Sequence, residues 1–158
     1  MRWDLIDKFE VLKKGSHARA VKAFSGTEDF FAEHFPGKPL VPEPLLVEMI
    51  AQTGGVLFGL GLEFKKEVIL VKIPMAKFLK AVAPPCLFSI EAKIDEENED
   101  GAFVSGKVFF KKELVAQAQI LLMGIEQLDP AQSKKIVFND TFLKHYDVFE
   151  VANVSERL

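Results

Sequence analysis

The sequence predicts an α+β fold in which one buried helix packs on a long antiparallel sheet. Three observations carry this prediction. From Pro44 to about Leu60 the residues are apolar on almost every side of a helical wheel, which marks a helix enclosed by the rest of the chain. Two short strand-like segments precede that helix. Four or five longer ones follow it, separated by acidic or proline-rich turns. One helix and one antiparallel layer make an α+β arrangement.

Taken in order, residues 8–14 and 17–24 read as strands about the turn at Gly15-Ser16, although Ala18 and Ala20 are weak strand formers. Residues 26–43 form a connection stiffened by Pro36, Pro39 and Pro42. Each proline fixes its own φ and turns the preceding residue away from helix. Pro44 suits the first helical turn, and Glu43 before it suits the positive end of the dipole. Gly54, Gly55, Gly59 and Gly61 each weaken a free helix by up to about 1 kcal/mol relative to alanine, so the helix needs close tertiary packing.

"EVILVKIPM" (67–75) and "AKFLKAV" (76–82) read as one bent strand or two. After Pro84-Pro85, residues 86–95 place Phe88, Ile90, Ala92 and Ile94 on one face. The acidic turn 96–101 leads into "AFVSGKVFFKK" and then "ELVAQAQILLM". In the last strand Leu114, Ala116, Ala118, Ile120 and Leu122 alternate with Val115, Gln117, Gln119 and Leu121. Residues 126–158 break the alternation, and Phe138, Phe142, Val148 and Phe149 point to a docked tail with some helix. The expected organisation is a domain over residues 1–125, with residues 126–158 as a C-terminal extension docked on it or extending from it.

A chain of 158 residues is the size of one domain and can bury a core without disulfides or metal. Its 15 phenylalanines could fill a core, cover a subunit interface or line an apolar site, and composition does not choose among these. The net charge of −3 argues against a general nucleic-acid binder; Lys72, Lys77 and Lys80 fall close together and read either as a solvated face or as a local basic patch. Cys86 is the only cysteine, which excludes an intrachain disulfide and a cysteine-rich zinc site. The charged N-terminus does not read as a secretory signal. The apolar stretch from Met49 to Leu62, interrupted by Gln52 and glycines, falls short of a membrane span. A soluble, cytoplasmic protein with no membrane partner is expected.

Glu48, Gln52 and Gly55 follow the i, i+4, i+7 spacing and share one helix face among apolar neighbours. Burial disfavours an ionised carboxyl group unless a cation or donor compensates, and a carboxylic acid held neutral serves as a general acid. Pattern alone leaves open that Glu48 instead faces solvent or makes a structural hydrogen bond. His34 precedes the proline-rich loop, whose stiffness limits where the imidazole points. It reads either as a positioned base or as an ordinary loop histidine. His17 and His145 read as structural or surface residues, and no HxH or HExxH spacing supports a metal site.

The stretch "HFPGKPLVPEPLLVEMIAQ" (34–52) resembles the active-site motif of the FabZ/FabA-type 3-hydroxyacyl-acyl-carrier-protein dehydratases, approximately HFPGxPxxPGxLxxExxAQ. His34, Phe35, Pro36, Gly37, Pro39, Pro42, Leu45, Glu48, Ala51 and Gln52 match without a gap. A weaker likeness continues through Phe78, Val82 and Pro84, so that roughly residues 8–125 are covered. The resemblance implies the hot-dog fold, a long central helix wrapped by a curved antiparallel sheet, as a homodimer or a trimer of dimers. It also implies elimination of water from an acyl chain on acyl carrier protein or coenzyme A, with no metal or redox cofactor. His34 would then be the base at C2 and Glu48 the acid, contributed by different subunits. Gln52, Phe35 and Gly37 would support them, and the backbone N–H of Glu43 would face the thioester oxygen.

The chain departs from the family pattern at that last position. Glu43 stands where the family has glycine, adding a Cβ and a carboxylate beside the developing negative charge. Pro84-Pro85-Cys86 replaces a Pro-Gly-Asp segment, and Leu79 stands where an arginine is common. Two other activities of the same fold therefore stay open: a non-catalytic acyl or acyl-carrier-binding protein, and an acyl thioesterase in which Glu48 directs water.

Overall fold

The computed structural model describes residues 3–131 and 135–158. Its elements run β1 (Lys8–Lys13), β2 (His17–Phe24), a single 3₁₀ turn (Asp29–Ala32), α1 (Glu43–Gly61), β3 (Glu67–Phe78), β4 (Cys86–Glu97), β5 (Gly101–Phe110), β6 (Glu113–Ile125), α2 (Asp140–His145) and α3 (Val148–Ser155). The strands form one antiparallel sheet in the order β1-β2-β4-β5-β6-β3, which leaves β1 and β3 as its edges. Helix α1 packs against β2, β3, β4, β5 and β6. It is long and apolar enough to cross a membrane, but it is the buried core helix.

Ala18, one of the two alanines that weakened the strand reading of β2, has a packing reason. Ala18 lies opposite Ala92, Ala92 opposite Gly106 and Gly106 opposite Ala118, so a row of small residues crosses β2, β4, β5 and β6. The side chain of Ile50 on α1 seats against this row. A Cβ on Gly106 would stand 2.2 Å from Ile50 Cγ2, and one on Gly54 of α1 would stand 2.9 Å from Val104 Cγ1. Helix and sheet therefore approach through glycines from both sides. The glycine content that disfavours α1 in isolation is what admits it here.

Two strands need comment. Of the two readings left open for residues 67–82, the single strand holds, over residues 67–78, with irregular pairing to β6 between Leu70 and Met75. In β6 the alternation read from Leu114 is broken at its start, where Val115 is fully buried while Leu114 is only partly so. Phe109 pairs with Leu114 and Val108 with Ala116, so Val115 is an extra residue on β6. A bulge of this kind shifts the alternation by one residue, and the regular set resumes from Ala116.

The described residues beyond β6 make contacts at both sheet edges. At β3 the buried Glu67 carboxylate accepts hydrogen bonds from the backbone N–H groups of Ile136 and Val137. Phe138 then meets Phe64 edge-on at 5.5 Å between ring centres, and Phe142 contacts both Phe138 and Tyr146. Tyr146 meets Phe9 of β1 edge-on and donates its hydroxyl hydrogen to Asp4. Helix α3 packs on β1, where the Ser155 hydroxyl accepts the Leu12 N–H at 2.9 Å. Part of the phenylalanine surplus is thus an aromatic ladder that seats this segment.

Candidate active site

The His34 loop is built by short backbone bonds. His34 N–H donates to Phe30 O at the end of the 3₁₀ turn (3.0 Å), and Leu40 N–H returns to His34 O (2.9 Å). Phe35 and Lys38 exchange N–H···O bonds around a turn in which Gly37 takes φ +72°, a conformation that favours glycine. Val41 N–H donates to Val82 O (2.8 Å), pinning the loop to the segment before β4. His34 Nδ1 lies 3.0 Å from the Leu40 carbonyl oxygen. A carbonyl oxygen can only accept, so Nδ1 is the donor, and in the neutral ring Nε2 is the nitrogen that carries the lone pair. The half-buried imidazole stacks on the exposed Phe35 ring, with centres 4.1 Å apart.

Glu48 is half-buried on α1, and its Oε1 accepts two hydrogen bonds. One comes from the Trp3 indole N–H at 3.1 Å and the other from the Gln52 side-chain amide at 3.1 Å. The Gln52 amide also lies 3.4 Å from the Trp3 carbonyl oxygen, closing a small network. The lone carboxylate of the apolar run is therefore compensated by donors, and the i, i+4 spacing of Glu48 and Gln52 supplies one of them.

Glu48, Gln52 and Gly55 line a cavity of about 770 Å³, within the range of small-molecule sites. Val68 of β3 and Leu122 of β6 form part of its wall, and Phe138 and Phe142 form another part. His34, Phe35, Gly37 and Glu43 do not line it. Within one chain, then, the structure brings Glu48 and Gln52 together and leaves His34 outside their cavity.

Glu43 is the first residue of α1, after Pro42 as N-cap. It is not among the residues with positive φ, so the helix start accommodates its Cβ without left-handed strain, contrary to what the loss of glycine suggested. Cys86 opens β4 and is buried; burial pushes its thiol up to about 11.

Sequence reasoning missed several cavity residues. Trp3, Phe138, Phe142 and Tyr146 line the cavity, and His145, exposed as its surface reading expected, borders it too. The i, i+4 spacing of Phe138 and Phe142 was the available signal, whereas nothing local marks Trp3 as a partner of Glu48.

A helix enclosed by a six-stranded antiparallel sheet, with a carboxylate on the helix and a histidine in the loop before it, defines a hot-dog protein. Solved structures share this fold. The uncharacterized protein PH1136 from Pyrococcus horikoshii superposes with a TM-score of 0.62 at 20% identity, covering 78% of this chain and 85% of that one. The dehydratase heterocomplex ApeI:P from Xenorhabdus doucetiae gives 0.56 at 20% identity, covering 69% and 88%. Residues 2–119 match the FabA-like domain, and the chain belongs to that family of dehydratases. The 3-hydroxyacyl-[acyl-carrier-protein] dehydratase FabZ of Natranaerobius thermophilus is 32% identical over 124 residues, spanning 78% of this chain and 87% of the relative. The bifunctional enzyme LpxC/FabZ of Chlorobaculum tepidum is 34% identical over 125 residues, and there the match spans 27% of the longer protein.

Proposed function

We propose that the protein eliminates water from 3-hydroxyacyl thioesters carried on acyl carrier protein, giving trans-2-enoyl products in fatty-acid biosynthesis. The observation that carries this reading is the hydrogen bond between His34 Nδ1 and the Leu40 carbonyl, which leaves Nε2 as a positioned base in a chain of this family. Nε2 takes a proton from C2. The released electron pair forms the C2–C3 double bond, and the C3 hydroxyl leaves as water with a proton from Glu48. Glu48 Oε2, which takes neither the Trp3 nor the Gln52 bond, is the oxygen that delivers it. Solvent then returns the proton from His34 to Glu48. Negative charge on the thioester oxygen is met by the N-terminus of α1 at the Glu43 N–H.

His34 and Glu48 meet across a homodimer in this reading. Support comes from β3, a sheet edge 12 residues long that presents Val71, Ile73 and Phe78 to solvent. A long apolar edge invites pairing with a second copy, and antiparallel addition at β3 would join two sheets. A trimer of dimers is the next level of assembly. We assign the chemistry to residues 1–125 and a cytoplasmic setting to the protein; coenzyme A is the alternative carrier of the same thioester.

The test follows enoyl absorbance and free thiol together, with a 2-enoyl thioester on acyl carrier protein as substrate. Loss of enoyl absorbance without thiol release, abolished by His34→Ala, is the expected result. Thiol release would indicate a thioesterase, and acyl-carrier binding with rates no faster than the no-enzyme background would indicate a non-catalytic binder.

A further inference from the structure

Glu48, Gln52 and Gly55 mark out one face of α1 along the cavity, with Gly55 seven positions beyond Glu48. Seven residues of helix advance about 10 Å. At the far end the ring of Phe138 stands across that face: a Cβ on Gly55 would lie 3.5 Å from Phe138 Cζ and 4.0 Å from Val68 Cγ1. One turn further on the face is filled. A Cβ on Gly59 would lie 2.7 Å from the Phe64 ring and 3.1 Å from Phe138, and Gly59 does not line the cavity. Phe138 is held by Phe64 and Phe142 and by the Glu67 bonds at the two residues before it. It belongs to the segment after β6, outside the residues that match the FabA-like domain.

Resting on the dehydratase reading, we infer that this C-terminal segment closes the acyl slot at Phe138 and limits the substrate to medium-length chains. With C3 at Glu48, the tail runs along Gln52 toward Gly55. After about 3.5 Å of van der Waals clearance at the ring, between 6 and 7 Å of the roughly 10 Å remain. Carbon–carbon bonds of about 1.5 Å advance about 1.25 Å each in an extended chain, which leaves room for about five carbons beyond C3. The slot therefore takes an acyl chain of about eight carbons.

Trp3 is the only tryptophan and lines the cavity, so its fluorescence reports occupancy without depending on turnover. The probes are straight-chain acyl pantetheine thioesters of about four to sixteen carbons, titrated against the full chain and followed for turnover as 2-enoyl esters in parallel. Affinity is expected to rise to about eight carbons and fall by roughly tenfold at sixteen, since a tail that cannot enter loses the apolar burial that binds it. Phe138→Ala raises the sixteen-to-eight affinity ratio at least several-fold. Gly55→Ala moves the optimum to a shorter chain; its added methyl meets only ordinary contacts and the change favours the helix, so this variant stays folded. A chain-length profile identical in wild type and both variants overturns the inference, as does wild-type protein that binds sixteen carbons as tightly as eight. Binding that follows the predicted profile without turnover supports the wall and removes the dehydratase reading, so the two fail separately.

Discussion

The indole N–H of Trp3 donates to the Glu48 carboxylate at 3.1 Å, linking the start of the chain to its core helix across 45 residues of sequence. Gln52 donates to the same oxygen, so the carboxylate is held from two directions while Oε2 takes neither bond. Trp3 is 61% exposed and contributes little to the core, which makes its hydrogen bond separable from folding.

Trp3→Phe keeps a ring and deletes the donor. Loss of one such bond is worth about 1 kcal/mol, or roughly a fivefold fall in kcat, with little change in melting temperature. The effect should fall on kcat more than on KM if Trp3 orients the acid. A variant with wild-type kcat would assign Trp3 to the surface alone.

Gly106→Ala should destabilise the protein by about 1–3 kcal/mol, because the new methyl collides with the Ile50 side chain of α1. Denaturant unfolding followed by circular dichroism gives the midpoint shift. An unchanged midpoint would mean that α1 does not seat on the row of small residues.

Glu67→Ala removes the acceptor of two backbone N–H groups, at a cost of about 1–3 kcal/mol for each that is left unpaired. Hydrogen exchange should quicken at residues 136–146 while β4 and β5 stay protected. Uniform protection across both regions would show that Glu67 does not anchor the segment.

Burial pushes the Cys86 thiol up to about 11, so the folded chain keeps this proton at pH values where the unfolded chain, near about 8.5, has released it. The unfolded state then binds fewer protons than the native state. Stability from this group is intact below about pH 8.5 and declines as pH rises from there toward 11. Unfolding free energies from pH 7 to pH 10 should fall more steeply for wild type than for Cys86→Ala. Parallel curves would contradict a buried thiol.

The helix and the strand order were legible because their signals are local: Pro44 stands in the first turn of α1, and β4 alternates cleanly from Phe88 to Ile94. The bulge at Val115 was not, since one extra residue in a strand is defined only by its partner strand. Ala18 looks like a poor strand residue until the small residues opposite it, and the helix they admit, are in place. His34 and Glu48 stood out through fixed spacing within one stretch. Trp3, Asp4, Tyr146 and Phe138 did not, because their contacts with one another and with α1 join segments far apart in sequence.

The division of the catalytic pair between two chains is tested by mixing inactive subunits. His34→Ala and Glu48→Gln proteins are unfolded together, refolded at equal concentration and assayed for enoyl-thioester hydration. Half of randomly assembled dimers carry one chain of each kind, and each of these has one intact site of two, so about a quarter of wild-type activity should return. A mixture as inactive as its separate components, with dimers present by light scattering, would contradict a site shared between subunits.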